Sequence, residues 1–157
     1  MARTFGNGYR ETEVSAFEIR TLTPCDVRER IQDILGIAAD VEGEYWKEEH
    51  FLRELPDKWK LSFAVWSDER PIAYAILSRK GPAHVHLHHF MVNLRSRGKG
   101  LGRRMLALVF QRVREAGCQQ LTLKVNATDQ IARRFYERYG FRKGVNAGAY
   151  CTLVKFV

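Results

Sequence analysis

The sequence predicts an α/β (α+β) fold in one domain over residues 16–157, and three observations carry that prediction. The chain has 157 residues, the length of one domain able to bury an ordinary core. Period-two and helical apolar patterns succeed one another in the order β-α-α-β-β-β-α-β-α-β-β. A glycine-rich turn, Gly98-Lys99-Gly100-Leu101-Gly102, joins one strand pattern directly to the longest helical pattern.

Residues 1–15 are polar and contain glycine and asparagine, as expected of a loosely held tail. Residues 17–22 alternate apolar and polar and predict the first strand, stopped at Thr23-Pro24. Val27, Ile31, Ile34 and Leu35 form a helical stripe with Asp26 as its N-cap, and a second helix is expected over residues 44–55, ending at Pro56. Strands are predicted over residues 61–66 and 71–78 around a hairpin-length turn at residues 67–70, and a third in this series over residues 83–92. After the glycine turn, Met105, Val109 and Val113 mark a long helix that Gly117 ends. Residues 119–125 alternate as a strand, and Thr128 is the expected N-cap of a helix through Ile131, Phe135 and Tyr139, closed by Gly140. Two short strands, 141–143 and 150–157, complete the chain around a loop at 144–148 that is expected to close a pocket.

A glycine turn opening a helix presents unpaired backbone N–H groups and the positive end of the helix dipole, the natural seat of a phosphate. Glycines at 98, 100 and 102 permit close approach, while Arg97, Lys99, Arg103 and Arg104 add positive charge. The P-loop requires Gly-Lys-Ser/Thr after a four-residue gap, and the dinucleotide fingerprint requires glycine where Arg103 stands. Neither motif fits.

Charge separates the two halves. Residues 1–79 hold 11 Lys/Arg and 15 Asp/Glu, a balance of −4, whereas residues 80–157 hold 15 and 3, a balance of +12. The excess lies with the glycine turn and suits either a polyanionic small ligand or a nucleic-acid backbone. No nucleic-acid-binding motif and no block of five consecutive basic residues is present, so nucleic acid ranks second. No apolar run reaches the length of a membrane span and the N-terminus lacks a signal-peptide core, which predicts a cytoplasmic protein with no membrane partner. Cys25, Cys118 and Cys151 are odd in number and lack CxxC spacing, which suggests neither a disulfide framework nor a zinc site. Oligomeric state is left at monomer or homodimer.

The strand over residues 83–92 places His84, His86 and His88 on one face and Val85 and Leu87 on the other. Three readings stand open: a metal site, general-base chemistry, and polar filling of a strand face. Alternate positions on a strand lie roughly 6–7 Å apart, and no carboxylate or cysteine follows nearby to finish a coordination shell, so no metal is expected. His84, furthest from the turn, reads as structural. Asp40, Glu42, Glu44, Tyr45, Trp46, Glu48, Glu49 and Phe51 make an acidic, aromatic segment that would favour a cationic amine if it overhung a site.

Arg97-x-x-Gly100-x-Gly102, after a strand ending in Val92, resembles the pyrophosphate signature of the GCN5-related N-acetyltransferases. Phe135-Tyr136-Glu137-Arg138-Tyr139-Gly140-Phe141 resembles that family's other recurrent segment, a helix bearing a tyrosine and ending in Gly-Phe. The resemblance implies a single-domain fold with a central mixed, mostly antiparallel sheet of six to seven strands and about four helices. It implies acetyl-CoA as co-substrate without a metal, and direct acetyl transfer to a primary amine, with a small-molecule acceptor favoured. The alternative is a macromolecular acceptor, a protein N-terminus or lysine or an aminoacyl-tRNA; a non-catalytic acyl-CoA sensor ranks third.

Residue by residue, the resemblance assigns the pyrophosphate to Arg97, Gly98, Lys99, Gly100, Leu101, Gly102 and Arg103. It assigns the pantetheine arm to the backbone of Phe90, Met91 and Val92, and the thiolate-protonating acid to Tyr136. His86 and His88 share the register of the paired histidines of the serotonin N-acetyltransferase branch, which implies a base acting directly or through water. There are three departures. Asp129 stands seven residues before Tyr136 where the family usually has asparagine, the nearest of which is Asn126, and these two are the candidates for contact with the cofactor arm; Arg103 replaces a common Ser/Thr; and Leu94 replaces a common proline.

Overall fold

The computed structural model describes residues 17–40 and 45–157. The expected tail, and the acidic residues Glu42 and Glu44, lie outside these. Seven strands form one sheet: β1 (Glu18–Thr21), β2 (Phe63–Ser67), β3 (Arg70–Gly81), β4 (His84–Val92), β5 (Gln120–Asn126), β6 (Arg142–Ala147) and β7 (Tyr150–Phe156). Their spatial order is β1-β2-β3-β4-β5-β7-β6, antiparallel throughout except for the parallel pair β4 and β5. The helices are α1 (Pro24–Glu29), α2 (Ile31–Ala38), α3 (Glu48–Leu52), α4 (Lys58–Leu61), α5 (Leu101–Glu115) and α6 (Gln130–Arg138). This is the mixed, mostly antiparallel α/β architecture that the sequence patterns predict.

Two cores lie on opposite faces of the sheet. On one, Val85, Leu87, Leu121 and Leu123 pack against Met105, Leu106, Val109 and Val113 of α5 and Tyr136 of α6. On the other, Tyr74, Ile76 and Met91 pack against Val27, Ile34 and Ile37 of α1 and α2 and Phe51 of α3. Burying a side chain of this size contributes roughly 1.5–3 kcal/mol, so both layers hold the sheet firmly.

Local differences from the sequence reading have local causes. Thr23, not Asp26, caps α1: the Thr23 hydroxyl accepts from the Asp26 N–H at 3.1 Å and the Asp26 carboxylate accepts from the Thr23 N–H at 2.9 Å. The first helical stripe divides at Arg30, and the short α4 adds a turn of helix after Pro56, so the described residues hold six helices, close to the four or so expected. The second expected helix shrinks to Glu48–Leu52. The ammonium of Lys58, only 1% exposed, donates to the carbonyls of Phe51 at 2.5 Å and Arg53 at 2.7 Å, which stabilises the turn between α3 and α4. Asp68 and Glu69 both take positive φ, the two-residue turn that suits the twist of the β2–β3 hairpin.

Thr128 does not cap α6. Asp129 does, accepting from the Ala132 N–H at 3.0 Å, while the Asn126 side chain accepts from the Thr128 N–H and hydroxyl. Ile131 is 85% exposed, so the buried stripe runs through Ala132, Phe135, Tyr136 and Tyr139 instead. Residues 144–147 are strand rather than loop, because Asn146 and Ala147 pair with Cys151 and Tyr150 of β7 after a register shift at residues 144–145.

Candidate active site

The site follows from two irregularities of β4. Ile76 pairs with His89 and Leu77 with Leu87, so His88 is an extra residue, a β-bulge. The bulge turns His88 and His89 to the same face as His84 and His86, and all four imidazoles line one cleft. Strict alternation would have put His89 with Val85 and Leu87, and for that reason the sequence reading missed it. His89 is 4% exposed, shares a 2.7 Å hydrogen bond between its Nδ1 and the Tyr74 hydroxyl, and stacks on Trp46 at 4.5 Å between ring centroids.

The second irregularity is a splay. β4 and β5 pair only over His84–Leu87 and Gln120–Leu123; beyond that, β4 pairs with β3 and β5 with β7. Between the diverging strands opens a cleft lined by His88, Phe90, Met91, Asn126, Asp129 and Tyr136, among others. Six of the sequence-predicted site residues thus converge there. The backbone of residues 88–91 borders the cleft on its β5 side, an edge to which an extended ligand can add as a strand, while the sequence-predicted Val92 stands just past the lining.

The glycine turn lies beyond Val92. Asn93 accepts from the Ser96 N–H and shapes a 3-10 turn, and Gly98 and Gly100 take φ values of +75° and +78°. Helix α5 begins at Leu101, so the N–H groups of residues 101–103 have no carbonyl four residues back within the helix. A Cβ at Gly98 or Gly100 would meet nothing within 4 Å, so the space above the turn is open, whereas a Cβ at Gly102 would meet Phe135 Cζ at 3.6 Å. Gly102 thereby ties the turn to α6. Leu101 points into the core, and Arg97 folds back, its Nε donating to the Val92 carbonyl at 2.9 Å, so part of its guanidinium is spent on the loop. Lys99 and Arg103 are exposed at the turn. Backbone donors, a helix N-terminus and two cations fit a pyrophosphate.

The imidazole row has its own hydrogen bonds. His88 Nε2 and Ser78 Oγ lie 2.6 Å apart, and the rings of His86 and His88 meet edge to face at 4.7 Å. The Thr122 hydroxyl lies 2.8 Å from His86 Nδ1 and 2.6 Å from His84 Nε2. Burial, and then the charges of Lys80, His84 and Lys124, pull His86 down to about 4. Burial, followed by His86, Lys80, Lys58 and Arg53, pulls His88 down to about 3. Burial and then Lys80 lower His84 as well. All three are therefore neutral at pH 7 and able to accept a proton.

The cleft that these histidines line is about 850 Å³, room for a drug-sized molecule. It shares His88, His89, Lys124 and Tyr150 with the cleft between the splayed strands, so the two clefts meet there. The expected carboxylate rim is not found among the described residues. Glu48 and Glu49 are exposed and line neither cleft, the Asp40 carboxylate accepts from the Leu94 N–H at 3.3 Å, and Lys80 and Lys124 supply the wall charge. From the C-terminal hairpin, Tyr150 and Thr152 of β7 line the cleft instead of the expected loop. Of the residues that sequence reasoning missed, Thr122, Lys124 and Tyr150 carry no motif, and only the pairing of β5 with β4 and β7 brings them in.

Among the described residues no group of three or more His, Cys, Asp or Glu is placed to hold a metal ion, and no helix is long and apolar enough to cross a membrane.

Comparison with known proteins bears on most of the chain. Residues 28–141 match the family model described as acetyltransferase (GNAT) family. No curated protein sequence gives a significant match. Among solved structures, Ard1 from Thermoplasma volcanium is similar at 21% identity and a TM-score of 0.77, over 90% of this chain and 98% of that one. The PaiA N-acetyltransferase from Thermoplasma acidophilum, solved in complex with coenzyme A, is similar at 16% identity and a TM-score of 0.74, over 90% and 99%. The ribosomal-protein-S18-alanine N-acetyltransferase from Escherichia coli is similar at 20% identity and a TM-score of 0.72, over 88% and 91%.

Proposed function

Because the chain belongs to the acetyltransferase (GNAT) family, whose members are acyl-CoA-dependent acetyltransferases, we propose that it moves an acetyl group from acetyl-CoA directly to a primary amine of a small-molecule acceptor, with no covalent enzyme intermediate. The observation that carries the proposal is the meeting of two clefts at His88, one bordered by a strand edge and the other lined by neutral imidazoles.

Acetyl-CoA, when bound, supplies an activated thioester and a thiolate leaving group. The backbone N–H groups of residues 98–103 hold its pyrophosphate, with Lys99 and Arg103 adding charge. The strand edge of Phe90, Met91 and Val92 holds the pantetheine arm, and a backbone N–H there polarises the carbonyl. Asn126 Oδ1 accepts from Thr128 and Asp129 Oδ1 from Ala132, which holds both side chains in the cleft wall, where the Asn126 amide N–H and the second Asp129 oxygen face the cofactor arm. Tyr136 holds a proton at its hydroxyl for the departing sulfur. His88 and His86 take the amine's proton, directly or through water, in the register that resembles the serotonin N-acetyltransferase branch. Lys80 and Lys124 on the wall oppose a charged ammonium, so the acceptor reacts as the neutral amine.

A macromolecular acceptor is the second reading. It draws on the +12 balance of residues 80–157 and on the Escherichia coli neighbour, whose name states a protein acceptor. The cytoplasm is the compartment we assign to either reading. The test is isothermal titration with acetyl-CoA, followed by thiol release in the presence of small amines, N-terminal peptides and aminoacyl-tRNA. Micromolar binding with turnover of small amines supports the first reading; turnover of peptides or tRNA alone transfers the assignment to the second. No binding rejects both.

A further inference from the structure

We propose that Thr122 is the middle member of a proton relay, running from His86 through Thr122 to His84, that carries the acceptor's proton out along the imidazole-lined cleft; this rests on the acetyl-transfer reading above. Thr122 faces His86 directly in the parallel β4–β5 register, and its hydroxyl reaches both His86 Nδ1 at 2.8 Å and His84 Nε2 at 2.6 Å. The residue is 6% exposed, so the hydroxyl has little access to water. One hydrogen bond would satisfy it, yet it makes two to groups that both titrate.

A hydroxyl has one proton to give and lone pairs to accept. At most one of the two ring nitrogens facing it can therefore be bare, and the relay takes the arrangement in which His86 Nδ1 carries the proton and His84 Nε2 does not, which gives the row a direction. In the transfer step the acceptor's N–H bond breaks and the proton joins His86 at Nε2. His86 releases its Nδ1 proton to Thr122 Oγ1 while the Thr122 proton moves to His84 Nε2. His84 then gives its Nδ1 proton to solvent, so one proton leaves the amine and one reaches water. Both rings finish in the opposite tautomer and return by exchange with water.

Such a row removes a difficulty of the site. A ring with the low proton affinity of His86 or His88 is a poor resting place for a proton, because burial and the ammonium group of Lys80 on β3 oppose its charge, joined by Lys124 on β5 at His86 and by Lys58 and Arg53 at His88. In a relay no ring has to keep it. His84, at the start of β4 beside the exposed residues Pro82 and Ala83, stands where the proton can reach water. The residue that sequence reasoning took as structural thereby becomes the exit.

The test compares wild type with Thr122→Val, which keeps the shape and removes the hydroxyl, and Thr122→Ser, which keeps the hydroxyl. Acetyl-CoA affinity is measured first, then thiol release with phenylethylamine, spermidine and alanine amide as acceptors. The expected result is at least a tenfold lower kcat for Thr122→Val with unchanged acetyl-CoA affinity, and recovery to within twofold in Thr122→Ser. The dependence of kcat on deuterium content should be curved in wild type and linear in Thr122→Val. A Thr122→Val rate within twofold of wild type, or a Thr122→Ser rate as low as that of Thr122→Val, overturns the relay while intact binding leaves the family function standing. Nitrogen NMR of labelled histidines decides without any acceptor. The relay requires opposite protonation of His84 Nε2 and His86 Nδ1, and finding both protonated or both bare overturns it.

Discussion

Lowering the pH from 7 to 5 should destabilise the wild-type fold more than it destabilises a His86→Gln/His88→Gln double variant. In the unfolded chain both imidazoles titrate near their ordinary value of about 6.5, whereas in the fold they are held at about 4 and about 3. Above pH 6.5 the rings are neutral in both states and the shifts have no effect on stability. As the pH falls below 6.5, the unfolded chain takes up protons that the native cleft refuses, and stability is lost until the native values are reached. Between pH 7 and pH 5 the loss amounts to about 4 kcal/mol for the pair, or about 2 kcal/mol once the residual solvent contact of both rings is allowed for. For a chain of this length that corresponds to a melting temperature about 4–8 °C lower. Thermal melts followed by circular dichroism at pH 7, 6 and 5 measure the difference, and His84, shifted in the same direction, is common to both proteins. Melting curves that run parallel in the two proteins over this range would refute the reasoning. The same shifts place any acidic limb of the pH–rate profile that arises from these histidines below pH 5.

Tyr136→Phe should lower kcat by roughly 10²-fold, as removal of a general acid does, with acetyl-CoA affinity unchanged by titration; an unchanged kcat rejects the acid role. Gly100→Val forces a branched residue to a φ of +78°, which costs about 1–3 kcal/mol, and places a side chain over the phosphate seat. If the turn is the phosphate site we propose, acetyl-CoA binding should weaken at least tenfold, and retained affinity would put the phosphates elsewhere. Gly102→Ala meets Phe135 at an ordinary 3.6 Å inside a helix, so its melting temperature should hold or rise slightly. Thr23→Ala breaks the capping box of α1 and should cost about 1 kcal/mol, read as a melting temperature lower by about 2–4 °C.

What could be read in advance is what local chemistry governs. Side-chain periodicity of 2 or 3.6 is a property of a single element, so the strand before the glycine turn, the helix after it and the tyrosine-bearing α6 were all legible. Positive φ is likewise a local demand that glycine meets, which is why Gly98 and Gly100 marked the turn. The caps were legible only to within a few residues. Thr23 and Asp26 are both capping residues, and so are Thr128 and Asp129, and which of each pair closes the helix depends on where the preceding chain leaves the sheet.

The chain read alone thus predicts the α/β class and the order of elements, and it marks the glycine turn, His86, His88 and Tyr136 as candidate places for chemistry. Tertiary structure decided how those places meet. The bulge at His88 is a mismatch in hydrogen-bond register between β4 and β3, and no pattern within β4 encodes it; it alone moves His89 beside the other three imidazoles. The splay of β4 from β5 sets the cleft that gathers Phe90, Asn126 and Tyr136, and the parallel register of the same pair sets the Thr122 hydroxyl between His84 and His86. Register and burial are relations between segments far apart in the chain, and they set both which groups touch and how strongly each holds a proton.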